Sequence, residues 1–201
     1  MKAEQKLLTQ ESYLNNEFVE NEVYSQLKVP RTIPFAVRLD GWKFGSLCEK
    51  LRAEKPFDLR IAKCLLDSCT QVLRNFNPSL AYITSDEIIF LFIKNYPFNG
   101  RIEKINSVLT GITSALFSLN VEKYFGKTTA VSFDSRIVIL SDKTLMGYLI
   151  WRQRNGRGNH NNAYAYWLLR KLGHSSREAS RKLKGLKLNR FANSYSSIES
   201  T

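Results

Sequence analysis

The apolar run IIFLFI, residues 88–93, constrains the fold of this 201-residue chain more than any other segment. Its large apolar side chains predict a strand buried on both faces, so other elements must cover the sheet from both sides. Two carboxylates, Asp86 and Glu87, stand directly before it. Because an unpaired buried carboxylate costs several kcal/mol, we expect these acids either to face water in a turn or to meet positive charge.

Upstream of the run, the pattern predicts a strand and then a helix. FAVRL, residues 35–39, is a strand ended by the turn pair Asp40-Gly41. Asp58 is the predicted N-cap of an amphipathic helix, which ends at Asn77-Pro78.

The run itself forms the second half of a predicted hairpin. AYIT, residues 81–84, is a short strand, and SDE is a tight turn before IIFLFI. A second long amphipathic helix is predicted over residues 102–119. AVSFDSRIVIL, residues 130–140, then returns to strand and is predicted to break or to form a hairpin at Phe133-Asp134-Ser135.

The order β-α-β-β-α-β predicts an α+β fold of the split, ferredoxin-like kind. In that arrangement the third strand lies between the first and the second and runs antiparallel to both. This strand order therefore places Asp40, at the end of the first strand, beside Asp86, at the start of the third. Neighbouring strands are about 4.8 Å apart, and two oxygen donors so placed suit Mg²⁺.

Beyond Ser141 the chain is predicted to be helical and basic. SDKTLMGYLIWRQ and NAYAYWLLRKLG read as helices, and a third begins at Ser175 with a capping box to Glu178. Of the net charge of +12, the segment from Trp151 to Arg190 carries eleven basic residues and one acid, 11 − 1 = +10. Such concentrated charge favours a polyanion-binding surface over a merely solvated face. We expect residues 1–141 to form the main domain, with its N-terminal segment, and residues 142–201 a basic helical extension packed on it.

Seven fragments in a fixed order resemble the histidine-tRNA guanylyltransferases and their Thg1-like relatives, the Thg1-like branch in particular. They are VRLDG, KPFD, SDE, GRIEK, FDSR, WRQ and NNAY. Each fragment alone is weakly specific, but their order and spacing together are specific, from about Val37 to Tyr164. The resemblance implies a palm domain like that of ordinary polymerases and a nucleotidyltransferase that adds nucleotides to the 5′ end of tRNA.

The resemblance also implies site residues. Two Mg²⁺ ions would be held by Asp40, the Gly41 carbonyl and Asp86, with Glu87 as a further catalytic candidate that is either indirect or simply solvated. GTP and ATP would be substrates. The implied nucleotide-binding residues are Asp40, Gly41, Trp42, Lys43, Phe44, Gly45, Lys55, Ser85, Asp86, Arg101 and Lys104. The alternatives, in which these residues bind no ligand, are an ordinary Asp-Gly turn, a surface lysine at position 55 and an exposed helix face at positions 101 and 104.

The basic extension would grip tRNA phosphates without reading bases. The candidates for this contact are Arg152, Arg157, Asn161, Lys171, Arg177, Arg181, Lys182, Lys184, Lys187 and Arg190. Such binding predicts that tRNA affinity falls steeply with added salt.

The chain departs from the family pattern at two places. Where the family usually reads DGRxFH, this chain has DGWKFG, so Trp42 and Gly45 replace an arginine and a histidine. Where the guanylyltransferases read HINN, it has NHNN, so Asn159 replaces the histidine of anticodon recognition, unless a one-residue slip restores His160. Otherwise His160 is a loop residue, and Asn161 and Asn162 are helix caps.

The expected function is templated 3′-5′ addition of nucleotides to a 5′-truncated tRNA. The alternative within the family is addition of a single G at position minus one of histidine tRNA. An RNA-recognition module has the same element order but binds strands on exposed sheet aromatics. A nucleotide cyclase with a palm domain is a further alternative, although an enzyme that acts on a free triphosphate needs no polyanion-binding surface.

The compartment and the assembly are also predicted. Cys48, Cys64 and Cys69 contain no CxxC pair, and MKAEQKLLTQE lacks the apolar core of a secretory signal. No apolar run is long enough to span a bilayer. We therefore expect a cytoplasmic protein with reduced thiols, and the family resemblance implies a homodimer or homotetramer.

Overall fold

The computed structural model describes residues 18–184 of the chain. Lys187, Arg190 and the N-terminal sequence that was compared with a secretory signal lie outside the described residues. None of the described helices is long and apolar enough to cross a membrane.

The fold is α+β, with helices packed on a four-stranded sheet. The strands are β1 (Phe35–Gly41), β2 (Leu80–Thr84), β3 (Glu87–Phe92) and β4 (Phe133–Ile139). The helices are α1 (Phe44–Leu51), α2 (Leu59–Phe76), α3 (Ile102–Phe125), α4 (Asp142–Lys171) and α5 (Ser176–Leu183), with a 3₁₀ turn at Pro97–Gly100.

The sheet has the strand order β2-β3-β1-β4, and every neighbouring pair is antiparallel. The predicted position of the third strand, between the first and the second and antiparallel to both, is therefore confirmed. Asp40 pairs in register with Glu87 on one side and with Asp134 on the other. The ends of β1 and β3 thus meet at one edge of the molecule.

Most helix ends follow the sequence signals. The Asp58 carboxylate accepts a hydrogen bond from the Arg60 backbone N–H and caps α2, and Asn77 ends that helix in the left-handed region. The Ser175–Glu178 capping box is present at the start of α5. The structure also contains α1, at a segment for which no helix was predicted.

Two predicted interruptions are wrong. β4 begins at Phe133 and continues without a break through Asp134 and Ser135, because each of its residues pairs with β1, whereas residues 130–132 are not part of the strand. Residues 142–171 form one helix, α4, rather than two with a loop between them. Two glycines of this segment lie at close contacts: Gly158 is buried, and a side chain at Gly156 would overlap the Thr84 hydroxyl.

The core lies mainly between the sheet and the helices α1, α2 and α3. Alternate strand residues, among them Val37, Leu39, Ile88 and Phe90, fill this face and are fully buried. On the opposite face α4 covers a smaller apolar cluster of Ala36, Ile89, Leu91 and Leu140. Cys64 and Cys69 are buried on α2 as predicted, and all three cysteines are free thiols.

Candidate active site

Asp40 and Asp86 face one small polar cavity at the edge where β1 and β3 meet. The Asp86 carbonyl accepts a hydrogen bond of 3.1 Å from the Gly41 backbone N–H, which fixes the turn against the end of β1. The cavity has a volume of about 230 Å³ and is lined by Arg38, Asp40, Thr84, Ser85, Asp86, Glu87, Arg152, Gly156 and Asn159. We call it the acid cavity. The strand order thus brings together the two carboxylates that the sequence pattern paired.

The electrostatics of this cavity favour a cation. Burial raises the pKa of Asp86, and the nearby Asp40 carboxylate raises it further, against the lowering effect of hydrogen bonds from its own backbone and from Ser85. The Asp40 carboxylate is thus close enough to act on Asp86, and the two acids form an anionic pair. Such a pair suits Mg²⁺, which takes one or two carboxylates plus phosphate oxygens and waters.

Protein groups alone do not complete a metal cage. Over residues 18–184, no group of three or more His, Cys, Asp or Glu side chains is placed to hold an ion. The donor chemistry therefore fits an ion that shares its coordination with a phosphorylated substrate. The role of the Gly41 carbonyl stays a prediction. The Phe44 ring packs so closely on Gly41 that a side chain there would overlap it.

Glu87 is in a different situation from its neighbour Asp86. Its side chain is buried, and Arg152 of α4 donates to it from Nε at 3.0 Å and from Nη2 at 2.7 Å. The Arg38 Nε lies 3.4 Å from the other carboxylate oxygen. The alternative that Glu87 is solvated is therefore wrong, because this acid meets positive charge within the protein. Arg152, predicted to grip tRNA, is largely buried in this ion pair rather than on the outer surface.

A second, larger cavity adjoins the first and shares Ser85 and Asp86 with it. It has a volume of about 550 Å³ and is lined by residues of α1, of the segment 53–58 and of the start of α2. Gly45, Lys55 and Ser85, all predicted to bind nucleotide, line it. Burial raises the pKa of the Cys48 thiol in its wall, which keeps that thiol protonated and a poor nucleophile.

His160 of α4 lines this larger cavity and belongs to a small group of packed aromatic rings. His160 stacks on Phe57 with ring centroids 4.6 Å apart, and Tyr164 packs against both rings at 4.8 and 5.5 Å. The Lys55 Nζ lies 5.8 Å from the Trp167 ring centroid. His160 lies within α4 and is not a loop residue.

Asn161 and Asn162 lie inside α4 and do not cap it. Asn159, which sequence reasoning did not place in the site, lines the acid cavity. Its distance from Gly156 and Arg152, three and seven residues, would have indicated a shared helix face if α4 had been predicted as continuous.

Some predicted nucleotide-binding residues are not brought to these cavities. Arg101 and Lys104 lie at the start of α3, in a cavity lined also by Glu22 and Glu103. That helix start follows the far end of β3, whereas Asp86 precedes its near end, so the two places are roughly 20 Å apart along the strand. Trp42 is exposed, and the Lys43 Nζ lies 4.4 Å from its ring centroid.

The basic surface of the extension is partly as predicted. Six of the predicted cations are exposed on α4, on α5 or directly after α5, and they are Arg157, Lys171, Arg177, Arg181, Lys182 and Lys184. Asn161 is half-buried. Whether these residues contact tRNA stays a prediction.

Comparisons with known proteins decide the family. The family model described as "Thg1: tRNAHis guanylyltransferase" matches residues 16–141. The chain belongs to this family. It is 31% identical over 170 residues to "tRNA(His) guanylyltransferase 1" of Arabidopsis thaliana and 31% identical over 155 residues to "Probable tRNA(His) guanylyltransferase" of Drosophila melanogaster.

These matches cover 81% and 74% of this family member, but only 30% and 54% of the two relatives. The chain thus matches between 30% and 54% of the length of these two curated relatives.

Solved structures agree with this placement. A bacterial tRNA(His) guanylyltransferase (Thg1)-like protein in complex with GTP has a TM-score of 0.69 at 27% identity, with 76% of each chain covered. The tRNA(His) guanylyltransferase from Saccharomyces cerevisiae has a TM-score of 0.76 at 26% identity, over 86% of this chain and 79% of the other. The four-stranded antiparallel sheet with its helices is therefore the fold of this family.

Proposed function

We propose that this family member is a nucleotidyltransferase that adds nucleotides to the 5′ end of tRNA. The proposal depends above all on the Asp40–Asp86 pair, which faces a polar cavity next to a larger one with a lysine in its wall. Family membership supports the reaction class, and the bacterial relatives in complex with GTP and with ATP support nucleoside triphosphates as substrates. The domain of residues 1–141 would act as a polymerase-like palm.

Asp40 and Asp86, with the Gly41 carbonyl, would hold Mg²⁺. Bound there, Mg²⁺ would supply a lowered pKa for a reacting hydroxyl and stabilisation of charge on the phosphate oxygens. The fit is chemical: the cavity offers oxygen donors and excess negative charge, while the positive charge of Arg152 is already taken up by Glu87.

The chain's own residues would mainly bind and orient. Lys55 would contact the triphosphate from the wall of the larger cavity, and the Ser85 hydroxyl lies where the two cavities join. The 3′-hydroxyl of the incoming nucleotide attacks the activated 5′ phosphate of the tRNA, and pyrophosphate or AMP leaves. The chemistry needs no protein nucleophile, because phosphoryl transfer depends on positioning and electrostatic stabilisation.

Within the family we favour templated repair of truncated tRNA by a Thg1-like protein over addition of one G to histidine tRNA. The support comes from the segment NHNN. His160 packs on Phe57, so it is engaged within the protein. Asn159 has an amide where the guanylyltransferases proper have the histidine that reads the anticodon. We therefore expect a chain without that histidine to be less selective for one tRNA.

The rival binding module fits the molecule poorly. An RNA-recognition module stacks bases on aromatic side chains of an open sheet face. Here Phe90 and Phe92 are buried beneath the helices of the main core, and α4 packs on the opposite face. A cyclase that acts on a free nucleotide would not need the basic surface of α4 and α5.

The remaining assignments belong to the same proposal. The exposed cations of α4 and α5 would contact tRNA phosphates, with Lys187 and Arg190 beyond the described residues. The protein would act in the cytoplasm as a homodimer or homotetramer. Salt tests the phosphate contact: we expect the logarithm of tRNA affinity to fall steeply and linearly with the logarithm of salt concentration. A flat dependence would show that these cations are not the gripping surface.

The decisive experiment is incubation with a 5′-truncated tRNA, labelled nucleoside triphosphates and Mg²⁺. Extension by several template-matched nucleotides supports repair, whereas a single untemplated G on histidine tRNA supports the alternative. Asp86→Ala serves as the inactive control, and Glu122→Gln, an exposed acid on α3, is the matched active control. No incorporation with either type of tRNA would contradict the proposal.

A further inference from the structure

Glu87 occupies a position from which it competes with the Asp40–Asp86 pair for positive charge. It pairs in register with Asp40, so both side chains project from the same face of the sheet. Arg38, two residues before Asp40 on β1, projects from that face as well. Arg152 reaches the same place from α4.

Both arginines line the acid cavity together with Asp40 and Asp86. Within the part of the chain that the structure describes, their only side-chain ion pairs are with Glu87. An arginine–carboxylate pair is a strong, often bidentate interaction. A guanidinium on Asp40 or Asp86 would therefore occupy the place that a cation needs.

The two arginines differ in how strongly they are bound to Glu87. Arg152 makes hydrogen bonds to Glu87 from two nitrogens, at 3.0 and 2.7 Å. The Arg38 Nε is 3.4 Å from Glu87 and is buried without a hydrogen-bond partner among the described residues. Arg38 is thus the guanidinium that would turn first toward the Asp pair if Glu87 lost its charge.

We propose that Glu87 is a positioning residue, which holds the Arg38 and Arg152 guanidinium groups away from Asp40 and Asp86 and so keeps that pair available to a divalent cation. It acts through the arginines rather than as a metal ligand itself. This inference rests on the cation site of the proposed function.

The test measures binding of Mn²⁺ alone to the full chain by electron paramagnetic resonance, without tRNA or nucleotide. Glu87→Gln is expected to weaken Mn²⁺ binding by about tenfold, because the freed guanidinium groups pair with the Asp carboxylates. Removing both arginines in that background, with Arg38→Met and Arg152→Met, should restore binding to within about threefold of the wild type. A metal ligand could not be replaced in this way.

The matched control is Asp86→Asn combined with the same two Arg→Met changes, which should not restore binding. Failure of the Glu87 triple variant to recover, or unchanged binding by Glu87→Gln, would overturn the positioning role and leave the cation site standing. Unchanged binding by Asp86→Asn would instead overturn the cation site, and the inference with it.

Melting curves check that each variant folds. The triple variant removes all three charges of the Glu87 ion pairs and so leaves none of these three unpaired, and it carries the test alone if Glu87→Gln does not fold. A loss of about tenfold in the triple variant would then count against the proposal.

Discussion

The face of the sheet that packs on α1, α2 and α3 is dry and apolar, whereas the face beneath α4 carries charges. β1 shows the difference within one strand: Phe35, Val37 and Leu39 are buried in the main core. On the opposite face of the same strand, Arg38 and Asp40 line the acid cavity. Because strand side chains alternate between faces, one strand contributes to stability on one side and to the site on the other.

The helices that cover the two faces differ in the same way. α2 and α3 bury rows of large apolar residues. α4 is longer, yet it buries only Gly158 and Ala165. It is held instead by the Arg152–Glu87 ion pair, by close contact at Gly156 and by a small apolar cluster. We therefore expect substitutions beneath α4 to affect the chemistry more than the stability of the fold.

The largest effect expected is on activity. Asp86→Asn should lower nucleotide addition by roughly a thousandfold, because it removes one of the two carboxylates that would hold the metal ion at the reacting phosphate. The melting temperature should not fall, since a buried carboxylate near Asp40 is itself unfavourable. Incorporation of labelled nucleotide and a melting curve measure the two quantities. A variant that stays active, or that melts much earlier, breaks the proposed division between the faces.

The apolar face should show the reverse behaviour. Phe90→Ala is expected to lower the free energy of unfolding by about 3–5 kcal/mol, because the side chain is fully buried and leaves a cavity. Cation binding by the folded fraction should persist. The matched variant beneath α4 is Leu149→Ala, at a partly buried position, with an expected loss of roughly 1–2 kcal/mol. Equal losses from urea unfolding would contradict the contrast.

A smaller effect is expected where α4 crosses the sheet. Gly156→Ala would push a methyl group against the Thr84 hydroxyl and should cost about 1–3 kcal/mol by overpacking. The control is Gly147→Ala in the same helix, where nothing lies within 4 Å. That change should stabilise the protein by roughly 0.5–1 kcal/mol, since alanine favours a helix over glycine. If both changes have the same sign in thermal unfolding, α4 does not dock at Gly156.

Local signals in the sequence predicted the strand order and the meeting of Asp40 and Asp86. The apolar run, the Asp58 cap and the Asp-Gly turn each have a short-range physical cause, and the β-α-β-β-α-β order then leaves few topologies. The same reasoning failed for residues 154–161, which were left between two predicted helices although α4 is continuous. The close packing of Gly156 depends on Thr84, which is distant in sequence.

The fate of Glu87 could not be predicted for a similar reason. Its position beside Asp86 and its strand face were readable, but its partner Arg152 lies 65 residues away on a helix whose docking was unknown. Arg38 could have been found earlier, since it shares a face with Asp40 by the period of two. The positions of Arg101 and Lys104 depend on the length of β3, which carries them away from the acid pair.

The smallest effect expected concerns acid and stability at the charged face. Burial, with a further contribution from Asp40, raises the pKa of Asp86 above its ordinary value of 3.8. Between 3.8 and the raised value, Asp86 binds more protons in the folded protein than in the unfolded chain. The contribution of Asp86 to the free energy of unfolding should therefore rise as the pH falls through that window, and Asp86→Asn should abolish this contribution.

Melting temperatures across that pH range, measured without divalent cations, provide the test. Asp86→Asn should melt slightly above the wild type at neutral pH, and the difference should shrink on acidification. Added Mg²⁺ should oppose the trend, because a cation stabilises the ionised carboxylate and loses affinity as it is protonated. A difference that does not change with pH would mean that the Asp86 carboxylate is not disfavoured in the folded protein, and the contrast between the two faces would lose its electrostatic basis.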